Sequence, residues 1–192
     1  MDRKTPLDAR AEAVLADLLS RADEPERLAL APGVAATVMR RVRDIVSRRP
    51  ADRTRLIEGY VRGLSHPKPR VRFECAHGLD AFGGRESRDV LVALMDDPVP
   101  RVRRMALHAL SCDACKDALL DVDDDIRHRI AEHALTDESV QVRRHAVWAV
   151  GQAGGEQARS TLEAVLAHDG DPAVLRQAHA AMRLLDRQTT AR

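Results

Sequence analysis

Aromatic residues are nearly absent from this chain of 192 residues, where they make up 2% of the sequence. β-Strands favour aromatic and β-branched side chains, so their scarcity argues against a sheet. The apolar residues, 44% of the total, are mainly Ala, Leu and Val, interspersed with Arg, Asp and Glu. These are good helix formers, and Ala also permits close helix packing. The composition therefore predicts an all-α fold.

Long apolar runs are missing as well. No stretch approaches the ~20 residues that cross a bilayer, and no apolar segment follows Met1–Lys4, so we expect neither a membrane span nor a signal peptide. Three cysteines fit a reducing cytoplasm better than a disulfide framework. Because 31 Lys and Arg nearly balance 30 Asp and Glu, the net charge gives no overall attraction to nucleic acid. We expect a cytoplasmic protein of one structural domain.

Four segments of the chain resemble one another. Each has a valine at the same place: Val71, Val102, Val142 and Val174. Successive valines lie 31, 40 and 32 residues apart, a period of about thirty with one insertion. In the second segment, Val102, Ala106, Ala109 and Leu110 follow the spacing of one helix face. The repeat therefore predicts one amphipathic helix per unit.

A further helix is predicted before each of these, at Asp52–Leu64, Glu86–Met95, Asp124–Leu135 and Glu156–Ala167. Residues before Ala51 lack the repeat, and we expect two capping helices there, over Pro6–Ala22 and Val34–Arg48. The predicted organisation is a capping segment (1–50), four helix pairs (about 51–84, 85–115, 120–154 and 155–186) and a polar tail (187–192).

The pattern at Asp97–Leu110, Asp-Pro followed by Val-Arg and spaced alanines, resembles the HEAT repeat in its bacterial, phycobilisome-lyase-like form. The resemblance covers about Ala51 to Asp186 and implies a right-handed α-solenoid whose second helices line a concave groove. It also implies that the arginine after each buried valine pairs with an Asp of an adjoining turn; these are Arg72, Arg103 and Arg143. The motif indicates a fold more than an activity, because scaffolds, lyases, glycosylases and hydroxylases all resemble this family.

On the second helices, positions opposite the buried stripe are expected to face the groove. They form rows across the repeats: Phe73, Arg104, Arg144 and Arg176; His77, His108, Trp148 and Ala180; Asp80, Ser111, Gly151 and Arg183; and, flanking these, Glu74, Met105, His145 and Gln177. An exposed Trp beside Arg and His is typical of a binding hot spot. The alternative for Trp148 is burial in the seam between repeats. We predict groove contacts from Phe73, Glu74, His77, Arg104, Met105, His108, Arg144, His145 and Trp148.

His108, Cys112 and Cys115 form a His-x3-Cys-x2-Cys pattern that could supply three ligands to zinc. A fourth ligand would have to come from elsewhere, and His77 or Cys75 are the nearest choices. Structural zinc sites usually show two paired ligand sets, and only one pair is present here. The alternative is that both thiols simply pack at a helix end.

Familiar catalytic motifs are missing: the sequence has no glycine-rich phosphate loop, nucleophile elbow or His-Glu-x-x-His. A di-iron hydroxylase of the resembling family has His-Glu dyads that Phe73-Glu74, Arg104-Met105 and Arg144-His145 do not preserve. We therefore predict a non-catalytic binding module, without a required cofactor, for a protein or peptide. One alternative is an enzyme, or a small-ligand or metal-binding protein. The other is nucleic-acid binding through an arginine strip that also includes Arg70 and Arg101.

Overall fold

The computed structural model describes residues 6–29, 34–112, 115 and 122–190, with side chains as far as residue 188. Those ranges contain ten α-helices and no strand, so the all-α prediction is confirmed. The helices are α1 (Leu7–Ser20), α2 (Ala36–Val46), α3 (Pro50–Gly63), α4 (Pro69–Phe82), α5 (Arg88–Ala93), α6 (Pro100–Ser111), α7 (Asp124–Thr136), α8 (Val140–Ala153), α9 (Ala158–His168) and α10 (Pro172–Thr190). In this described part of the chain, none is long and apolar enough to cross a membrane.

The described residues form two compact units. That they belong to one structural domain stays a prediction. Unit 1 holds the described residues up to Val90, together with Cys115. Unit 2 holds Leu91–Cys112 and the described residues from Val122 onward. The last helix continues to Thr190, so the predicted polar tail is helical from 187 to 190.

Local sequence signals set the helix ends. Four helices begin with a proline, at Pro50, Pro69, Pro100 and Pro172. Proline suits this position because its fixed φ is helical and its missing N–H would have no partner there. Asp123 caps α7, since its Oδ1 accepts a hydrogen bond from the backbone N–H of Ile126 at 3.0 Å. Gly154 and Gly155 end α8 with φ values of +59° and +88°, where a side chain would be strained.

Unit 1 packs α1 to α4 around the buried ring of Tyr60. This ring stacks on Phe82, with the ring centroids 6.2 Å apart and the planes at 9°. Gly78 lies directly against Tyr60: a Cβ added to this glycine would be 2.2 Å from Cε1 of the tyrosine. The first repeat has glycine where the others have alanine because α4 must leave room for this ring.

In unit 2, α6, α8 and α10 pack side by side; α7 packs against α8 and α9, and α9 packs against α8 and α10. Val102, Ala106 and Leu110 are buried, as the helix pattern predicts. The contact between α8 and α10 is close at Gly151, where an added Cβ would be 2.8 Å from the Cβ of Ala181.

One row that was expected to face outward is instead mostly buried: Asp80, Ser111 and Gly151. The row lies at the edge of the helix face, and at Gly151 the neighbouring helix comes close enough to cover it. This part of the predicted surface is therefore corrected to core.

In unit 2, arginines near the start of two helices bind aspartates in turns that follow later in the chain. Arg103 donates from Nε and Nη2 to the two carboxylate oxygens of Asp137, both at 2.8 Å. Arg143 donates in the same way to Asp169, at 2.7 Å from Nε. Each guanidinium also donates from Nη1 to a backbone carbonyl before its own helix, that of Asp97 or Asp137, at 2.9 Å. The pairing implied for Arg103 and Arg143 is confirmed, and we call this series the Arg–Asp ladder.

Arg72, the equivalent residue of unit 1, also anchors its turn. It donates to the carbonyl oxygens of His66 and Pro67 at 2.9 and 3.2 Å. All three arginines therefore hold the turn that precedes their helix, which is a structural task.

Candidate functional site

Three ring side chains meet on the surface of unit 2, where α6 lies beside α8. The imidazole of His108 stacks on the indole of Trp148, with centroids 5.5 Å apart and planes at 17°. His145, one turn before Trp148 on α8, tilts against the same indole at 4.9 Å. The two histidine rings are themselves 5.5 Å apart. The cluster exists because the repeat places His108 and Trp148 at the same position of neighbouring helices.

Trp148 is half-buried, between the two alternatives that the sequence left open. Histidine rings cover much of the indole, yet part of it remains at the surface. An amphipathic ring held in one orientation at a surface is well suited to bind a partner, because little side-chain entropy is lost on binding.

An open pocket of about 440 Å³ lies at this cluster and continues onto α10. We call it the Trp148 pocket; its lining residues are His108, Arg144, His145, Trp148, Ala173, Arg176 and Gln177. Arg144 and Arg176 are exposed. They form no ion pair with any residue in the described part of the chain. Two unpaired guanidinium groups beside a ring cluster can bind a carboxylate or phosphate by paired hydrogen bonds.

The pKa of His145 is lowered to about 4. The main cause is burial of the ring, followed by electrostatic repulsion between the protonated ring and His108, Arg104 and Arg144. His145 is therefore neutral at pH 7. Its Nε2 is buried and has no hydrogen-bond partner among the described residues. The pocket thus combines a positive field with an unsatisfied ring nitrogen.

Other predicted residues lie outside this pocket. In unit 1, Phe73 and Glu74 are half-buried and His77 is exposed on α4, with the rings of Phe73 and His77 6.4 Å apart. Arg104 is half-buried on α6 and its Nη1 donates to the side chain of Gln141 at 3.4 Å. Met105 requires a correction, because only 7% of it is exposed and it belongs to the core.

Three pocket residues on α10, Ala173, Arg176 and Gln177, were not among the predicted contacts. Arg176 and Gln177 continue the rows of Arg144 and His145, and this periodicity was the signal that could have identified them. Ala173 has no distinguishing sequence signal, because its position depends on how α10 lies against α8.

The residues of the predicted zinc site fall in both units. In unit 2, His108 is half-buried and Cys112 ends α6, with its N–H donating to the carbonyl of His108 at 2.9 Å. Cys112 is 8% exposed. In unit 1, the carbonyl of Cys115 accepts a hydrogen bond from Arg43. No disulfide forms among the described residues. Zinc binding stays a prediction.

Comparison with known proteins identifies the family but not a function. No curated protein matches the chain. The family model of HEAT repeats matches three overlapping stretches, residues 12–111, 57–136 and 128–191. Together they cover residues 12–191, which include most of the predicted capping segment as well as the predicted repeats. The helix pairs, the Asp-Pro turns and these matches agree, and the chain belongs to the HEAT-repeat family.

Proposed function

We propose that this protein is a non-catalytic binding module that holds a protein or peptide partner on the α6–α8–α10 face of unit 2. The observation that carries this proposal is the Trp148 pocket. It joins a half-buried indole, two histidines and two arginines without an ion pair among the described residues, on three successive repeat helices. Trp and Arg dominate binding hot spots, particularly when neighbouring groups shield them from water.

The repeat architecture supports an elongated partner. Neighbouring helices are ~8–10 Å apart, so equivalent positions recur along a line. The pocket follows this line from His108 on α6, through Trp148 on α8, to Arg176 on α10. A peptide lying across the helices could therefore contact each repeat in turn.

The test is a selection of random dodecapeptides on the immobilised full chain, run in parallel on wild type and Trp148→Ala. We expect the peptides enriched on wild type to lose binding to Trp148→Ala. Leu135→Ala is the matched control, because Leu135 is an apolar residue of unit 2 that is 44% exposed and lies outside the Trp148 pocket.

The variants must first be shown to fold, by helix content and by thermal unfolding followed with circular dichroism. If Trp148→Ala is folded and retains every peptide selected on wild type, the pocket does not hold the partner. If Leu135→Ala loses the same peptides, their binding surface lies elsewhere in unit 2.

A metal-dependent function is the second candidate. It is favoured by one observation: Cys112 is buried one helical turn after His108, where a thiolate and an imidazole could share an ion. Cys115 is the third ligand that the sequence predicts. Native and denaturing mass spectra test this proposal. A zinc-sized mass present in wild type and absent from Cys112→Ser would support it, and identical metal-free spectra would contradict it.

A further inference from the structure

The charges around the Trp148 pocket are of one sign. Among the described residues that line it, none is Asp or Glu, whereas Arg144 and Arg176 both line it. Arg104 adds a third guanidinium close enough to act on His145. The chain as a whole is nearly neutral, with 31 basic and 30 acidic residues. The excess of positive charge in the pocket lining is therefore not a property of the chain as a whole.

These three arginines differ from those of the Arg–Asp ladder. Arg103 and Arg143 have their guanidinium groups occupied by Asp137 and Asp169 and hold the turns together. Arg144 and Arg176 form no ion pair in the described ranges. Arg104 makes one long hydrogen bond to an uncharged amide. Binding an anion here would therefore not require breaking an existing ion pair.

His145 adds a second, independent indication. A buried ring nitrogen without a partner is unfavourable, and in the tautomer that carries its proton on Nε2 the ring can donate a hydrogen bond to a ligand oxygen that reaches it. An anionic oxygen would also relieve the positive field around the ring, which is one cause of its low pKa.

We propose that the partner segment bound in the Trp148 pocket is acidic, with Asp or Glu carboxylates paired to Arg144 and Arg176. This inference rests on the proposed function and specifies the chemistry of the partner. In an extended peptide, alternate side chains lie ~7 Å apart on one face. That spacing is close to the distance between neighbouring helices. Carboxylates separated by two or three residues would match arginines of successive repeats.

A nucleic acid is the competing anion, and two observations disfavour it. The ladder occupies Arg103 and Arg143, which shortens the arginine strip that the sequence suggests. His108 stacks on the indole of Trp148, with the two ring planes at 17°, and His145 contacts the same indole. A base-stacking platform needs an open ring face.

The experiment uses three dodecapeptide libraries. Every second position is Asp or Glu in the acidic library, Asn or Gln in the amide library, and Lys or Arg in the basic library; all other positions are random. Single-stranded (dT)12 is the nucleic-acid probe. On the wild-type chain we expect the acidic library to be enriched at least tenfold over the amide library. The double variant Arg144→Gln/Arg176→Gln should lose this preference. Arg159→Gln, an exposed arginine of α9 outside the pocket, should keep it.

The outcomes separate the two proposals. Equal enrichment of acidic and amide peptides, with binding still lost in Trp148→Ala, would overturn the acidic inference and leave the binding module standing. Binding of (dT)12 that the double variant abolishes, without acidic enrichment, would overturn it in favour of nucleic acid. If no library depends on Trp148 at all, the proposed function itself fails.

Discussion

The two units hold their helices together by different interactions. In unit 1, α4 approaches α3 closely because Gly78 leaves room for Tyr60. In unit 2, turns that are distant in sequence are joined by the buried pair Arg103–Asp137 and its neighbour Arg143–Asp169. A close steric fit fails when an atom is added, whereas a buried ion pair fails when one partner is removed. The same repeat can therefore be sensitive to opposite kinds of substitution.

Removing Asp137 should have the largest effect. Asp137→Ala removes the buried carboxylate that Arg103 binds at 2.8 Å and leaves it only the exposed Glu138 at 3.4 Å, while the side chains of Asp137 and Arg103 are 3% and 9% exposed. We expect the free energy of unfolding of unit 2 to fall by about 3–5 kcal/mol. The single tryptophan, Trp148, lies in unit 2, so its fluorescence during urea titration measures the loss.

Asp96→Ala is the matched control for this variant. Asp96 pairs with Arg129 at 2.6 Å, but its side chain is 71% exposed. Water screens such a pair, so its loss should cost less than about 1 kcal/mol. Equal losses of unfolding free energy for Asp137→Ala and Asp96→Ala would show that burial does not increase the contribution of the Arg–Asp ladder to stability.

Filling the gap beside Tyr60 should have the next largest effect. Gly78→Ala places a methyl group 2.2 Å from the tyrosine ring, which must move within a full core. We expect unit 1 to lose about 1–3 kcal/mol, measured by urea unfolding with circular dichroism. Gly170→Ala is the control, because a Cβ there has no atom within 4 Å. A Gly78→Ala variant as stable as this control would contradict the close packing.

Acid should weaken unit 2 through His145. The pKa of this residue is lowered to about 4, below the ~6.5 of an unfolded histidine, so the unfolded chain takes up the proton first as the pH falls. The His145 contribution is complete above pH 6.5 and is lost as the pH approaches 4. Between pH 6.5 and 5 we expect a loss of about 1–2 kcal/mol.

His145→Gln should flatten this part of the curve of stability against pH, because glutamine does not titrate. The pKa can also be measured directly by NMR of the imidazole protons. A His145 that titrates near pH 6.5 in the folded chain would show that the ring is neither buried nor in a positive field.

The smallest effect is expected from truncating the rings on the surface. Trp148→Ala removes contacts with His108 and His145 that are together worth about 1 kcal/mol, since the indole is only half-buried. Phe73→Ala in unit 1 should cost about the same or less. Thermal unfolding followed by circular dichroism compares the two. A loss above about 3 kcal/mol for Trp148→Ala would place this residue in the core and weaken its assignment to binding.

Much of the fold could be predicted because its signals are local or periodic. Spacing by helix turns identified the buried face of Val102, Ala106 and Leu110, and prolines marked where helices begin. Periodicity also placed His108 and Trp148 in one row, where their rings do stack. It failed for Met105, because a flanking position is buried or exposed according to how closely the next helix approaches.

The sequence by itself determined the helices, the repeat and the family, because each depends on residues within one or two turns or on a pattern that recurs about every thirty positions. The resemblance implied that Arg103 and Arg143 each pair with an Asp, but only the tertiary structure decided which carboxylate each arginine binds. Arg103 and Arg104 are adjacent in the chain, yet Arg103 pairs with a carboxylate 34 residues away, whereas Arg104 donates to the side-chain amide of Gln141. That difference arises because consecutive residues of a helix point about 100° apart, toward different neighbours that exist only once the helices have packed.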